Sequence, residues 1–302
     1  MEKINEFVLM RNFRNLDEAL LKARDGKSSL RFEHRASRSI RNSEWFGGTE
    51  DFEEAFNLAS LGWSEGLKEI KNRVKKHRRI FDDFLPRQDF ASEVAFSTEG
   101  EAVDVARAIE GIPESMIKYE PSESSIIKPG NKMQRIIVNI SISSMISQEA
   151  VFNRGALLIN LIDALELHGF RTELVVIEPT AKTSSKIYGK DINSRVLQQN
   201  IFIKQFTESP DFSKFAFVFA HVAMLRRIIF SLMEQEEDAI LREFHIGNNY
   251  GSYGYPCDIE EKYLSSDDIY FGYLQENYDF ATLLHIITKK VKKHFNIITL
   301  TE

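Results

Sequence analysis

Two spacings of apolar residues alternate along the second half of this chain. Arg135, Ile136, Ile137, Val138, Asn139 and Ile140 form a short apolar run, Gln148–His168 carries apolar residues at helical spacing, and Arg171–Ile177 is a second short run. They predict strand, helix and strand, one β-α-β unit. The alternation continues with strand Asn200–Phe206, helix Phe212–Gln235, strand Asp268–Leu274, helix Asp279–His294 and a last strand Asn296–Leu300. Such repetition predicts an α/β fold, a mostly parallel sheet with helices on both faces, and the right-handed crossover rule limits its topologies.

The first half reads as mostly helical. Leu16, Ala19, Leu20 and Ala23 share one face of a short helix over Leu16–Arg24, with Asn15 as its cap and Asp17 and Glu18 in its first turn. Thr49 is the expected cap of a second helix, where Phe52, Ala55, Phe56 and Ala59 recur on one face and Gly62 ends the pattern. Trp63 opens a further helical segment, Ser64–Phe84, with Leu67, Ile70, Val74 and Phe81 as its stripe, so the pair predicts a helical hairpin. Glu101–Glu110 predicts one more helix, closed by Gly111 and Pro113, and Tyr119–Asn131 reads as a connector. The expected division is therefore an α-rich region over 1–128 and an α/β domain over 129–302.

Composition narrows the partners more than the fold. With 302 residues and 43% hydrophobic content the chain can bury a sizeable core. Its formal net charge of −6 argues against coating nucleic acid over the whole surface and leaves a local basic face open. The single cysteine, Cys257, excludes an intramolecular disulfide and a Cys-rich zinc site, and the N-terminus carries no basic-then-apolar leader, so the cytoplasm is the expected compartment. No run reaches the roughly 20 apolar residues of a membrane span. The longest, Phe215–Leu232, contains His221, Arg226 and Arg227 and reads as a buried helix.

The loop after the first strand of the β-α-β unit is Asn139-Ile140-Ser141-Ile142-Ser143, and a helix containing Asn153-Arg154-Gly155-Ala156 follows it. This arrangement resembles the opening of a von Willebrand factor A-type domain, which implies a Rossmann-like sheet over the second half of the chain. In that family the loop is Asp-x-Ser-x-Ser and helps hold a divalent metal whose open position takes a partner's carboxylate. Asn139 stands in place of the aspartate, while Ser141 and Ser143 match the serines. The resemblance thus implies a degenerate site for a cation such as Mg²⁺, and capping of the helix by the same side chains is the alternative. The first half, through Trp45-Phe46-Gly47-Gly48-Thr49 and Gly62-Trp63-Ser64-Glu65-Gly66, is similar to an uncharacterised family of tailed bacteriophages and integrated elements. That similarity implies a phage-related setting, host cytoplasm or virion, and carries no known chemistry.

Two further candidates come from the residues themselves. Arg35, Arg38 and Arg41, with Lys71, Lys75, Lys76, Arg78 and Arg79, could form a nucleic-acid groove if the two segments pack together; a solvated helix and an interface for an acidic protein are the alternatives. Tyr250, Tyr253 and Tyr255 in a Gly/Tyr loop could grip a protein partner, or fold back onto the domain. Catalytic signatures are absent: there is no Gly-x-Ser-x-Gly elbow, His-Glu-x-x-His pair, P-loop or dinucleotide pattern. Adjacent acids such as Asp267-Asp268 point apart, and Cys257 would act as a nucleophile only with a histidine brought to it. The expected function is a non-enzymatic adaptor that contacts a phage or host protein and has a homo-oligomer open to it; nucleic-acid binding through the basic region is the alternative.

Overall fold

The computed structural model describes residues 8–38, 44–77, 79–85, 92–100, 102–121, 132–182, 195–247 and 252–295. Two compact units divide the chain, Met1–Leu85 with Met133–Glu302 in one and Pro86–Lys132 in the other. The helical hairpin therefore belongs to the same unit as the α/β sheet. The end of the smaller unit lies near the division expected at 128/129.

The larger unit opens with strand β1 (Val8–Phe13) and helix α1 (Leu16–Asp25). Asn15 caps α1 by accepting the Glu18 N–H at 2.8 Å, and Leu16, Ala19, Leu20 and Ala23 are buried. The hairpin is α2 (Phe52–Leu61) and α3 (Ser64–Val74), joined at Gly62, whose φ of +89° is costly for any residue with a Cβ. Its cap is Asp51, which accepts the Glu54 N–H at 2.8 Å, and not Thr49. The Thr49 hydroxyl is used elsewhere: it donates to Phe46 O at 2.9 Å and accepts from Arg227 Nε at 3.0 Å. After Val74 the chain tightens into a 3₁₀ turn, Lys75–His77, so α3 stops short of the expected Phe84.

The smaller unit holds strands β2 (Ser92–Ser97) and β3 (Ala102–Val103), helix α4 (Val105–Ile109) and strand β4 (Met116–Pro121). The strands pair antiparallel in the order β2-β4-β3. The helix expected over Glu101–Glu110 is thus halved. Its first part pairs as β3, and the Asp104 N–H is taken by Ser115 O at 2.8 Å.

Past it come β5 (Met133–Asn139), α5 (Gln148–Leu167), β6 (Arg171–Ala181), β7 (Val196–Lys204), α6 (Phe212–Ala220), a π-helical stretch Met224–Ile229, α7 (Phe230–Met233) and α8 (Asp238–Glu243). Strands β8 (Tyr255–Pro256) and β9 (Asp268–Phe271) and helix α9 (Phe280–His294) complete the described unit. The result is a mixed α/β fold around a mostly parallel six-stranded sheet, ordered β1-β7-β6-β5-β9, with β8 beside β6. Pairs β1·β7, β5·β6 and β5·β9 are parallel, whereas β6 runs antiparallel to β7 and to β8. No helical period separates β6 from β7 in the sequence, and without a crossover helix an antiparallel return is the natural pairing. The strand expected over Asn296–Leu300 lies outside the described residues.

The two faces of the sheet are covered unequally. Ile136, Val138, Leu174, Val176, Leu197 and Ile201 face the main helical layer and share one large core with it. Ile137, Val175, Ile177 and Tyr270 face the other way, under Ile259, Leu264 and Phe202. Helix α5 is the centre of the large core. A Cβ on its Gly155 would come within 2.4 Å of Phe219 O, so only glycine lets α6 cross so closely. No single helix among the described residues is long and apolar enough to cross a membrane. Phe212–Ala220 and Met224–Met233 pass that test only as a pair bent by 75°, and Phe215–Met233 is buried in the fold.

Candidate functional site

The basic residues expected to act together are divided by the fold. Arg35 donates to Leu30 O at 2.8 Å and Ser28 O at 3.1 Å, so it ties down its own loop. Arg38 donates to Ala23 O at 3.0 Å and lies 3.7 Å over the Phe52 ring. Arg41 and Arg78 lie outside the described residues. Lys71, Lys75, Lys76 and Arg79 are exposed and make no ion pair among the described residues. Lys68 and Lys71, with Lys75 at the start of the 3₁₀ turn, recur at three- and four-residue spacing and so lie along one face of α3 and its end.

That face has a neighbour not expected from the sequence. His77 meets Phe280 at the start of α9 with ring centroids 5.3 Å apart, and the Lys292 ammonium lies 5.1 Å over Phe84 near its end. The segment from the 3₁₀ turn to Phe84 therefore runs alongside α9, which sets a helix carrying exposed Lys289 and Lys293 next to the segment that carries Lys75, Lys76 and Arg79. Of the acids in this segment, Asp82 is held by His168 at 3.2 Å and Asp83 is exposed. The signal was legible as the Lys289-Lys290 and Lys292-Lys293 doublets, which read as the basic last turn of a helix.

At the carboxyl ends of β5 and β6 lies a buried polar network. The Asn139 amide donates to Cys257 O at 2.8 Å, to Tyr270 Oη at 3.2 Å and to Asp258 Oδ1 at 3.3 Å, while its Oδ1 accepts the Ser141 N–H at 2.9 Å. Ser141 Oγ donates to Pro179 O at 3.1 Å and to Glu178 Oε1 at 3.4 Å. Asn139 and Ser141 are buried and Ser143 is half-buried. Arg154 closes the network from α5, donating to Asn139 O at 2.9 Å and Gly272 O at 2.6 Å. Its guanidinium pKa is lowered to about 10 by burial, so it stays charged at neutral pH. The carboxylate beside Ser141 is Glu178, one strand away from the position that the loop pattern would give it. Thr180 Oγ1 donates to Glu178 Oε1 at 2.5 Å, and Glu178 Oε2 has no partner among the described residues. Among the described residues no three His, Cys, Asp or Glu side chains gather as a metal site. Burial pushes the Cys257 thiol up, which keeps it protonated and inert as a nucleophile.

The tyrosine loop is also divided. Tyr250 lies outside the described residues. Tyr253 is buried, stacked on Phe230 with ring centroids 3.7 Å apart, and its hydroxyl donates to Glu234 Oε1 at 2.5 Å. Tyr255 is 43% exposed at the sheet edge in β8.

The Trp45–Thr49 motif is used structurally. Arg226, in the π-helical stretch, donates to Trp45 O at 2.6 Å and Ile146 O at 3.1 Å. Arg227 beside it donates to Thr49 O at 2.7 Å, Glu50 O at 3.0 Å and Ser37 O at 3.2 Å, with its guanidinium 3.8 Å over the Phe46 ring. Two buried cations thus satisfy the carbonyls of a loop that has no ladder of its own.

The fold defines a mixed α/β protein with a helical hairpin packed into the same core and exposed cations on α3, its 3₁₀ extension and α9. Over residues 2–302 the chain matches a family described as a domain of unknown function, DUF7192, and it belongs to that family. No curated protein and no solved structure matches it.

Proposed function

We propose that this chain binds a nucleic acid through the face formed by α3, its 3₁₀ extension and α9. The supporting observation is the contrast between two sets of cations. Arg35, Arg38, Arg226 and Arg227 donate to backbone carbonyls, while Lys71, Lys75, Lys76, Arg79, Lys289 and Lys293 are exposed and make no ion pair among the described residues. Exposed cations on two adjoining segments can neutralise several phosphates at once, and release of the counterions gives affinity that falls steeply with salt. The acidic remainder of the chain would confine contact to this face.

The adaptor reading has less to rest on. Its two expected contact edges, Asn139 with Ser141 and the tyrosine loop, use their described buried side chains inside the fold, and Ser143 and Tyr255 are what they leave accessible. A phage-related setting suits either reading.

The test is fluorescence anisotropy with labelled single- and double-stranded oligonucleotides over a series of salt concentrations. Binding at low salt should weaken as salt rises, and the variant Lys75→Gln/Lys76→Gln/Arg79→Gln/Lys293→Gln should lower the slope of log K against log salt by about one per lost phosphate contact. No binding at low salt, or an unchanged slope in a folded variant, would overturn the proposal.

A further inference from the structure

On the other flank of α3, away from the basic face, lies an open cleft of about 470 Å³ whose walls include Trp63, Glu69, Arg73, Glu149, Phe152 and His221. Its size is that of a small-ligand site, which typically spans roughly 300–1,000 Å³. Its walls are aromatic and its free charge is negative. Trp63 meets Phe152 and His221 edge to face, with ring centroids 6.2 Å and 4.6 Å apart. Arg73 is already committed: its Nη1 lies 2.8 Å from Asn153 Oδ1 and 3.3 Å from Glu149 Oε1. Glu69 is exposed and has no partner among the described residues. His221 adds no positive charge, because burial lowers its pKa to about 4 and its Nδ1 accepts the Ala223 N–H at 3.1 Å.

The cleft also shows which group it accommodates. The guanidinium of Arg73 lies 5.5 Å over the Phe152 ring with a carboxylate beside it, a cation held between an aromatic face and an acid. Glu69 and the half-buried Trp63 line the same cleft, and no cation of the described residues pairs with Glu69. We propose that this cleft binds an external guanidinium or alkylammonium group on a short aliphatic stem, with Glu69 as its counter-charge and Trp63 as its aromatic wall. Such a group could be carried by a free amine or by an arginine or lysine side chain of another protein. An anion is disfavoured, because it would have to take Arg73 from two partners and pass two carboxylates. The inference is independent of the nucleic-acid reading, since the two faces share no residue.

Isothermal titration of the full chain with agmatine and with a capped Gly-Arg-Gly peptide tests it, each taken to about 10 mM so that millimolar dissociation constants are read. Tryptophan fluorescence provides a parallel signal through Trp63. Saturable binding of either probe, weakened about fivefold or more by Glu69→Gln and absent for an uncharged citrulline analogue, is expected. Agmatine binding would identify the chemistry in a free amine, and binding of the peptide alone would identify it in a protein side chain. Glu69→Gln should leave oligonucleotide binding unchanged, so that failure here is distinguishable from failure of the nucleic-acid reading. No saturation by either probe, equal binding of the citrulline analogue, or unchanged affinity in Glu69→Gln would overturn the inference, and Trp63→Leu with a native circular dichroism spectrum supplies a second variant that should weaken binding.

Discussion

Replacing Glu178 by glutamine should stabilise this protein at alkaline pH and do little at acidic pH. Glu178 is 3% exposed, accepts from Thr180 and Ser141 through one oxygen, and leaves the other without a partner. Across the β6·β7 ladder its register partner is Gln199, whose Nε2 is likewise unpartnered. Among the described residues no cation compensates the carboxylate, and burial raises its pKa from 4.5 to about 7, against the smaller opposing effect of the two hydroxyls. The folded state therefore holds this proton more tightly than the unfolded chain. Stability from the group is fully present below pH 4.5 and is lost as pH rises through about 7, a change of about 3 kcal/mol at 1.36 kcal/mol per pKa unit.

Glutamine keeps the shape and cannot ionise. Urea unfolding followed by circular dichroism, for wild type and Glu178→Gln from pH 4 to 8.5, reads the difference directly. The variant should match wild type within about 1 kcal/mol at pH 4.5, the value of one altered hydrogen bond, and exceed it by about 2–3 kcal/mol at pH 8. His221 titrates in the opposite sense. Its pKa, lowered to about 4 by burial, means that its stabilising effect is present above pH 6.5 and lost as pH falls toward 4. The two slopes offset each other in wild type between about pH 4.5 and 6.5, which makes the difference curve the decisive quantity. A difference independent of pH, or a variant less stable than wild type at pH 8, would refute the reasoning.

Two further outcomes follow from the same buried groups. His221→Gln should flatten the loss of stability on acidification below pH 6.5, which urea midpoints at pH 4.5 and 7.5 would register. Arg227→Lys keeps the charge but cannot fork to Thr49, Glu50 and Ser37 at once, and a loss of about 2–4 kcal/mol, read as a lower urea midpoint, is expected.

What could be read from sequence in this fold depended on whether an element is specified locally. Helices α1, α2 and α9 have a cap and an apolar stripe at or beside their own residues, α5 is capped and apolar on nearly all sides, and each appears where the spacing placed it, with Asn15, Asp51, Ser147 and Asp279 accepting first-turn N–H groups. Strands β1, β2 and β4 have no such signal. Val8–Phe13 is half-exposed, and it is a strand because β7 supplies its ladder, a contact between residues nearly 190 positions apart. The direction of β7 is not legible in its own residues for a related reason: they specify a strand, while its antiparallel sense depends on what joins it to β6.

The candidate sites follow the same division. A basic run on a helix is visible in sequence, but which of its members remain free depends on carbonyls contributed from elsewhere. Arg38 and Arg79 look alike in the chain; one is drawn onto Phe52 and the carbonyl of Ala23, and the other is left at the surface. Conversely, Lys289 and Lys293 acquire meaning only when His77 packs on Phe280 and sets α9 beside the 3₁₀ turn. The Asn139 loop shows the limit most plainly. Its residues were legible as a pattern lacking a carboxylate, and tertiary structure supplies one, Glu178, on the neighbouring strand and without a compensating cation. Local spacing therefore specified the polar scaffold at the sheet's carboxyl end, while the charge state of that scaffold is a property of the strand pairing, which is why its first test is a pH titration.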